Sequence, residues 1–281
     1  MDARAYEQDV SVRDFLAWAR PLVTGERPLR HQWSSPKHGM WRFETMFEAY
    51  QRYDWKFSAQ VPGNGERIRG HTFADTLEAF DRLGERLREG LARQDADAFA
   101  EAVVAVLDWG GIRAGIRKVR RERATLMPAV LGAAEQLAPG SARLDRLDVV
   151  RYMSSGWSKV YALLLEDFPI YDSRVACAMS SLVVRYCEER GLGEVPASLE
   201  FRVPASQVKG RNPSTGTLRV RGLHAGYPRP YAVVNLRAAW LLKLMGQEGR
   251  FGELPGGERL LAVQSAMFML GYAVIGQEAL G

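Results

Sequence analysis

Residues 154–172 read SSGWSKVYALLLEDFPIYD, and this stretch decides how we expect the chain to fold. Residues 158–167 have the composition of a helix, which would rise by roughly 15 Å at about 1.5 Å per residue. Residues 168–171 include a proline, which favours extended backbone in the residue before it. At about 3.3 Å per residue, this leg would run back by about 13 Å. We therefore expect Asp172 to lie beside Lys159, at the start of the helix that the chain has just left.

Lys159 and Asp172 together have the chemistry of a lyase or glycosylase site. Cleavage of an N-glycosidic bond builds positive charge on the sugar, which an ionised carboxylate stabilises. A neutral lysine amine can instead attack the anomeric carbon and form a Schiff base. The positive end of a helix favours the neutral amine of Lys159, and Asp172 is a suitable N-cap for a helix over 173–190. A lone lysine or N-cap aspartate is usually structural, so the prediction rests on the pair.

Composition narrows the class of protein. The 281 residues, 47% of them hydrophobic, are enough for one large or two modest domains with a substantial core. No signal peptide and no apolar run of membrane length is present, so we expect a soluble, cytoplasmic protein and a monomer. Cys177 and Cys187 lie on one predicted helix, about 15 Å apart, too far for a disulfide. With only two cysteines and four histidines, we expect no metal and no other cofactor.

Hydrophobic spacing of three and four residues recurs along most of the chain, and strand signals are sparse. The fold class is therefore predicted to be mainly α. We divide the chain into an aromatic-rich N-terminal segment, 1–70, packed on a helical core, 71–281, which contains a long basic loop at 191–230. Helices are predicted around 41–53, from 72 to 91, 96–107, 113–134 with a break near Pro128, 144–153, 158–167, 173–190, 231–245 and 257–276.

The helices predicted over 144–153 and 158–167, joined by Ser154-Ser155-Gly156-Trp157, form a helix-hairpin-helix at 144–167. This segment resembles the helix-hairpin-helix DNA glycosylase superfamily, and most closely its 8-oxoguanine glycosylase branch. The matching triplets are Ser158-Lys159-Val160 and Ile170-Tyr171-Asp172. The resemblance implies that Lys159 is the catalytic lysine and Asp172 the catalytic carboxylate. The hairpin has one glycine where the family usually has two, and the interval from Lys159 to Asp172 is shorter than usual.

A second match lies in the last predicted helix. Gln264 and Phe268 are one helical turn apart and so lie on one face. In the 8-oxoguanine branch, a glutamine and a phenylalanine with this spacing read and stack on the extruded base. The resemblance, which spans about residues 96 to 276, implies the same roles here, although both residue types are more often packing residues in an apolar helix. Trp109 and the aromatic residues of the N-terminal segment could also stack on the base, or belong to the core.

Positive charge favours a polyanionic partner. The net charge is +5 and the pI is about 9.3. A hairpin turn can offer backbone N–H groups to a phosphate, here from Ser155 and Gly156. Arg174 could bind phosphate or pair with a nearby carboxylate. A basic stripe could contact phosphates, or could be a solvated helix face. Its candidate DNA-binding residues are Arg113, Arg117, Lys118 and Arg121.

These patterns favour a DNA glycosylase that flips a modified base out of double-stranded DNA into a pocket between the helical core and the C-terminal helix. The base would be an oxidised purine, or a bulky modified base of phage DNA excised as a defence activity. The alternative is a non-catalytic helix-hairpin-helix DNA-binding protein, in which Lys159 only contacts phosphate. A helical interaction protein that binds no nucleic acid is the third possibility.

Overall fold

Helices make up most of the computed structural model, which describes residues 1–35, 39–63, 65–113, 115–204, 211–224 and 226–275. The predicted mainly α class is confirmed, whereas the helix-hairpin-helix glycosylase fold remains a prediction. In the described part of the chain, strands form three two-stranded pairs, two of them antiparallel hairpins near the N-terminus.

The N-terminal segment combines short helices with the two hairpins. Its elements are α1 Ala3–Glu7, α2 Val10–Thr24, β1 His31–Ser35, β2 Gly39–Phe43, α3 Met46–Gln51, β3 Phe57–Gln60 and β4 Arg67–Gly70. The helix expected around 41–53 is wrong in its first part, because β2 pairs with β1 and sets Trp41 opposite Trp33. Aromatic residues suit such a pleated surface. The helix begins only after Thr45, whose hydroxyl accepts a bond of 3.0 Å from the Glu48 N–H.

Four helices follow, and they form one side of the core. They are α4 Phe73–Ala92, α5 Ala96–Trp109, α6 Ile116–Arg121 and α7 Arg123–Leu137. Thr72 and Asp75 form a capping box at the start of α4, as expected where the hydrophobic spacing begins. The helix expected over 113–134 is broken at Glu122 and not near Pro128, which lies inside α7. Helix α5 packs against α4, α6 and α7, and Val106, Leu107 and Trp109 at its C-terminal end are buried in the core.

The first helix of the predicted hairpin at 144–167 is absent. Only a single 3₁₀ turn, Leu144–Arg146, forms, and 147–153 have no regular structure. Leu147 and Val150 are buried, so the apolar spacing marked buried residues correctly but not a helix. A ten-residue helix is marginal by itself, and adjacent β-branched residues such as Val149 and Val150 weaken it further. Instead, Tyr152 anchors the segment by donating a bond of 2.6 Å to Glu122.

Residues 154–172 fold largely as predicted from the rise per residue of a helix and of an extended chain. Helix α8, Trp157–Leu164, ends three residues earlier than expected, because Leu165 already has an extended backbone, with a φ of −115° and a ψ of 139°. The leg 165–171 contains neither helix nor strand and leads to Asp172, which caps α9, Ser173–Glu189. Cys177 and Cys187 both lie on α9 as free, buried thiols.

The predicted loop 191–230 is irregular where it is described, apart from a 3₁₀ turn at Ala197–Leu199, a parallel pair of two-residue strands and residues 228–230, which already belong to the next helix. Those strands are β5 Val203–Pro204 and β6 Gly222–Leu223. The chain ends with α10 Pro228–Met245, α11 Gly249–Gly252 and α12 Gly256–Leu270. Helix α12 packs on α3, α9 and α10, so it joins the N-terminal segment to the rest of the core. In the described ranges, no helix has the length and apolar character needed to cross a membrane.

Gly271 sets how closely α12 approaches α9, and its substitution tests this packing. A Cβ at Gly271 would overlap the carbonyl oxygen of Arg174, so Gly271→Ala should lower the free energy of unfolding by about 1–3 kcal/mol. The matched control is Gly132→Ala in α7, where a Cβ meets no atom within 4 Å. It should raise the free energy by about 0.5–1 kcal/mol. Urea unfolding measures both, and equal values for the two variants would contradict the close approach.

Candidate active site

Lys159 lies in the first turn of α8 and is only 5% exposed. Its Nζ donates a bond of 3.0 Å to the carbonyl oxygen of Ser155. The aliphatic part of the side chain crosses Gly110, where a Cβ would overlap the Cδ and Cε atoms of Lys159. The absence of a side chain at Gly110 is therefore required for the observed path of Lys159.

The leg between α8 and α9 is held by buried polar side chains instead of a strand partner. The Tyr171 N–H donates to the Ser158 hydroxyl at 3.1 Å, and the Ile170 N–H donates to Gln264 Oε1 at 2.6 Å. The Asn235 amide donates to the carbonyl of Pro169 at 3.0 Å. Because Ser158 is the neighbour of Lys159, the bond from Tyr171 brings the leg back to the start of α8, as the sequence arithmetic predicts.

Asp172 caps α9 through one carboxylate oxygen. Its Oδ1 accepts the Arg174 N–H at 2.9 Å and the Val175 N–H at 3.0 Å. No described residue donates to Oδ2. No ion pair joins Asp172 to Lys159 in the described part of the chain; the two side chains line one cavity without pairing.

Burial lowers the pKa of Lys159. The Asp172 carboxylate opposes this shift, and the Arg174 guanidinium adds to it. The pKa of Lys159 is therefore lowered, as the sequence predicted. The main cause is the removal of the amine from water and not the positive end of the helix. A depressed pKa favours the neutral amine, which is the nucleophilic form.

The cavity between these groups has a volume of about 200 Å³. That is below the roughly 300–1,000 Å³ of pockets for drug-sized ligands, so it suits a small planar group. Segments outside the predicted hairpin also line the cavity. Tyr53 and Trp55 come from the N-terminal segment, and Arg211 comes from the basic loop. The lining residues are Tyr53, Trp55, Thr76, Trp109, Gly110, Lys159, Ile170, Asp172, Ser173, Arg174, Val175, Arg211, Gln264 and Phe268.

Gln264 and Phe268 line the cavity from one face of α12, as their spacing predicts. Gln264 has a second task that the sequence did not show, since its Oε1 binds the leg. Its Nε2 has no acceptor among the described residues. Phe268 contacts Tyr53, with ring centroids 5.4 Å apart. Trp109 is 2% exposed and packs edge-on against Trp55 at 4.9 Å, so it belongs to the core and to the cavity wall together.

Of the residues predicted to bind DNA, Arg174 lines the cavity and the others lie outside it. Gly156 is buried, and a Cβ at this position would lie 3.1 Å from Ile112 and 3.2 Å from Leu107, whereas Ser155 is half-buried. The Ser155 backbone lies against the Tyr231 hydroxyl. Burial of Gly156 makes its N–H poorly placed for a phosphate. Arg174 faces the cavity, where its Cζ lies 4.2 Å from the centre of the Phe268 ring.

The basic run does not form the continuous helical stripe that its spacing suggested. Arg113 precedes α6, and the break at Glu122 ends the helix. Arg121 pairs with Glu122 at 3.5 Å, and Lys118 lies 5.0 Å above the Tyr152 ring. Arg113 and Arg117 are exposed and have no ion pair with a described residue. Two of the four candidates thus remain fully available to phosphate.

In the described ranges, no cluster of three or more histidine, cysteine, aspartate or glutamate side chains could hold a metal ion. Comparisons of the chain with protein-family models, with curated proteins and with solved structures found no match. The geometry of the cavity is therefore the basis on which a function can be proposed.

Lys159→Met tests the depressed pKa, because methionine removes the amine and keeps the shape of the side chain. Between the folded and the higher unfolded pKa of Lys159, the unfolded chain binds more protons, so wild-type stability rises with pH there. We expect Lys159→Met to be more stable than wild type at pH 7, and its advantage to shrink as the pH approaches about 10. Urea unfolding over this range measures the difference. A difference that does not change with pH would contradict a depressed pKa.

Proposed function

We propose that this protein is a DNA glycosylase that flips a modified base into the cavity and excises it. The observation that carries the proposal is that the Lys159 amine and the Asp172 carboxylate open on one base-sized cavity with aromatic walls. A cavity of this kind, with a few convergent polar groups and a lysine of perturbed pKa, has the features expected of a catalytic site.

Asp172 would stabilise the positive charge that develops on the sugar as the base leaves. Its Oδ1 is fixed by two backbone N–H groups, so the carboxylate has one orientation. The Oδ2 atom has no donor among the described residues and remains available to the charge. A charge that is held in place before the reaction needs no reorganisation during it, which is the usual source of electrostatic catalysis.

Lys159 would act as the nucleophile in its neutral form. Its lone pair forms a bond to C1′ while the N-glycosidic electron pair leaves with the base, which takes up a proton. Loss of the amine proton and opening of the sugar ring then give a Schiff base, from which elimination can nick the strand. To reach the sugar, the amine must exchange its bond to the Ser155 carbonyl for the substrate. A water molecule activated near Asp172 is the alternative nucleophile.

DNA would be bound beside the cavity by the exposed basic residues. The side chains of Arg113 and Arg117 are exposed and have no ion-pair partner among the described residues. Contacts of this type bind phosphates and position the duplex without reading its sequence. The net charge of +5 is consistent with such a partner.

The cavity volume bears on the choice between the two substrate classes. Tyr53 and Trp55 narrow the cavity to about 200 Å³, which favours a base with small substituents, such as an oxidised purine, over a bulky modified base. In the alternative of a non-catalytic DNA-binding protein, Lys159 would contact phosphate. Its 5% exposure favours the enzyme instead, because a phosphate contact needs an accessible amine.

The direct test is incubation with duplexes that carry different modified bases, with released base and abasic sites measured by mass spectrometry. We expect release from at least one duplex, and a loss of more than about 100-fold in Asp172→Asn, because an amide cannot stabilise the sugar cation. Binding should stay within a few fold of wild type.

The matched control is Asp95→Asn, which alters the equivalent N-cap aspartate of α5. Asp95 is about 20 Å from the cavity end of that helix, so base release should be kept. If Asp172→Asn retains release within a few fold of wild type, Asp172 has no catalytic role. If no duplex loses a base, the glycosylase proposal fails.

A further inference from the structure

Arg174 forms one wall of the cavity, and two aromatic rings contact its guanidinium. Its Cζ lies 4.2 Å from the centre of the Phe268 ring and 3.9 Å from that of Tyr272. The two ring centres are 6.1 Å apart with planes at 83°, so the rings meet the guanidinium from adjacent directions and restrict its orientation without enclosing it. In the described part of the chain, no atom accepts a hydrogen bond from its N–H groups, and Nη1 is buried without a partner. The guanidinium therefore has hydrogen-bonding capacity that the protein itself does not use.

A stack of rings continues from Arg174 to the N-terminal hairpin. Tyr272 lies on Trp33 with centroids 4.2 Å apart and planes at 11°, and Trp33 lies on Trp41 at 5.7 Å and 6°. Trp33 is fixed in turn by its Nε1–H, which donates to the Met269 carbonyl at 3.2 Å. The guanidinium is thus oriented before any ligand arrives, which lowers the entropy cost of binding to it.

Arg211 lies beside Arg174 at the cavity. Arg211 is 9% exposed and donates to the Ser173 hydroxyl at 2.8 Å. Burial lowers the pKa of Arg211 and of Lys159, and the charge of Arg174 lowers each further, so the three groups lie within electrostatic range. An anionic group on a ligand would be attracted to the Arg174 guanidinium, whereas a cationic base would be repelled by it.

We propose that Arg174 selects a base that carries an anionic, planar acceptor group, such as a carboxylate on the ring. A guanidinium edge matches a carboxylate with two parallel hydrogen bonds, which a lysine cannot reproduce. The volume of about 200 Å³ leaves space for a base with one such substituent. The inference rests on the proposed function for the way the base enters the cavity, and it adds the substrate class.

The experiment measures binding to three duplexes that differ at one nucleotide: 5-carboxylcytosine, cytosine, and a tetrahydrofuran abasic analogue. A 2′-fluorine on the sugar of the two cytosine nucleotides slows loss of the base. Wild type should bind the 5-carboxylcytosine duplex about ten- to a hundredfold more tightly than the other two, as expected for charge-assisted hydrogen bonds. Arg174→Met should abolish this preference, and Arg174→Lys should keep only a small part of it.

The control is Arg190→Met, which removes the same charge from the exposed C-cap of α9 and should keep the preference. Urea unfolding shows whether each variant is folded, and Arg174→Lys decides the test if Arg174→Met is not. An Arg174 substitution that weakens all three duplexes equally would mean that Arg174 contacts backbone phosphate, and would overturn the proposal. So would a wild type without preference. If the preference depends on Arg174 but no base is released, only the glycosylase proposal is contradicted.

Discussion

The hydroxyl of Ser158 is the atom on which the candidate site depends. It accepts the Tyr171 N–H at 3.1 Å and donates to the Ser155 carbonyl at 3.0 Å, in a position with no exposure to water. The leg before Asp172 has no strand partner, and a buried N–H without an acceptor costs about 1–3 kcal/mol. Side chains must therefore supply the bonds that a sheet would supply. Ser158 and Gln264 do so, and the position of Asp172 follows from them.

This constraint links packing to chemistry. Gln264 holds the leg with its oxygen and presents its other end to the cavity, so one side chain serves both purposes. The same close packing removes Lys159 from water and thereby lowers its pKa. It also sets the Arg174 guanidinium against the Phe268 and Tyr272 rings, with N–H groups that no described residue accepts.

The features that the sequence predicted correctly follow from the geometry and chemistry of short segments. The return of the chain to Lys159 follows from residue rises and one proline, and the Asp172 cap follows from the chemistry of helix ends. The prediction of a helix over 144–153 was wrong, because the spacing of apolar residues indicates which residues are buried and not which backbone conformation they adopt. Tyr53 and Trp55 could not be singled out from the other aromatic residues of the N-terminal segment. They reach the cavity through hairpin and helix packing over more than fifty positions of sequence, and no local pattern encodes such a contact.

In the proposed reaction, the Lys159 amine must reach the reacting carbon of the sugar. Borohydride added during turnover reduces a Schiff base to a stable amine, so wild type should form a covalent adduct with DNA. Digestion and mass spectrometry should locate the adduct on the peptide that contains Lys159, and Lys159→Gln should form none. Base release without any adduct would make water the nucleophile. An adduct on another amine would contradict the role of Lys159 outright.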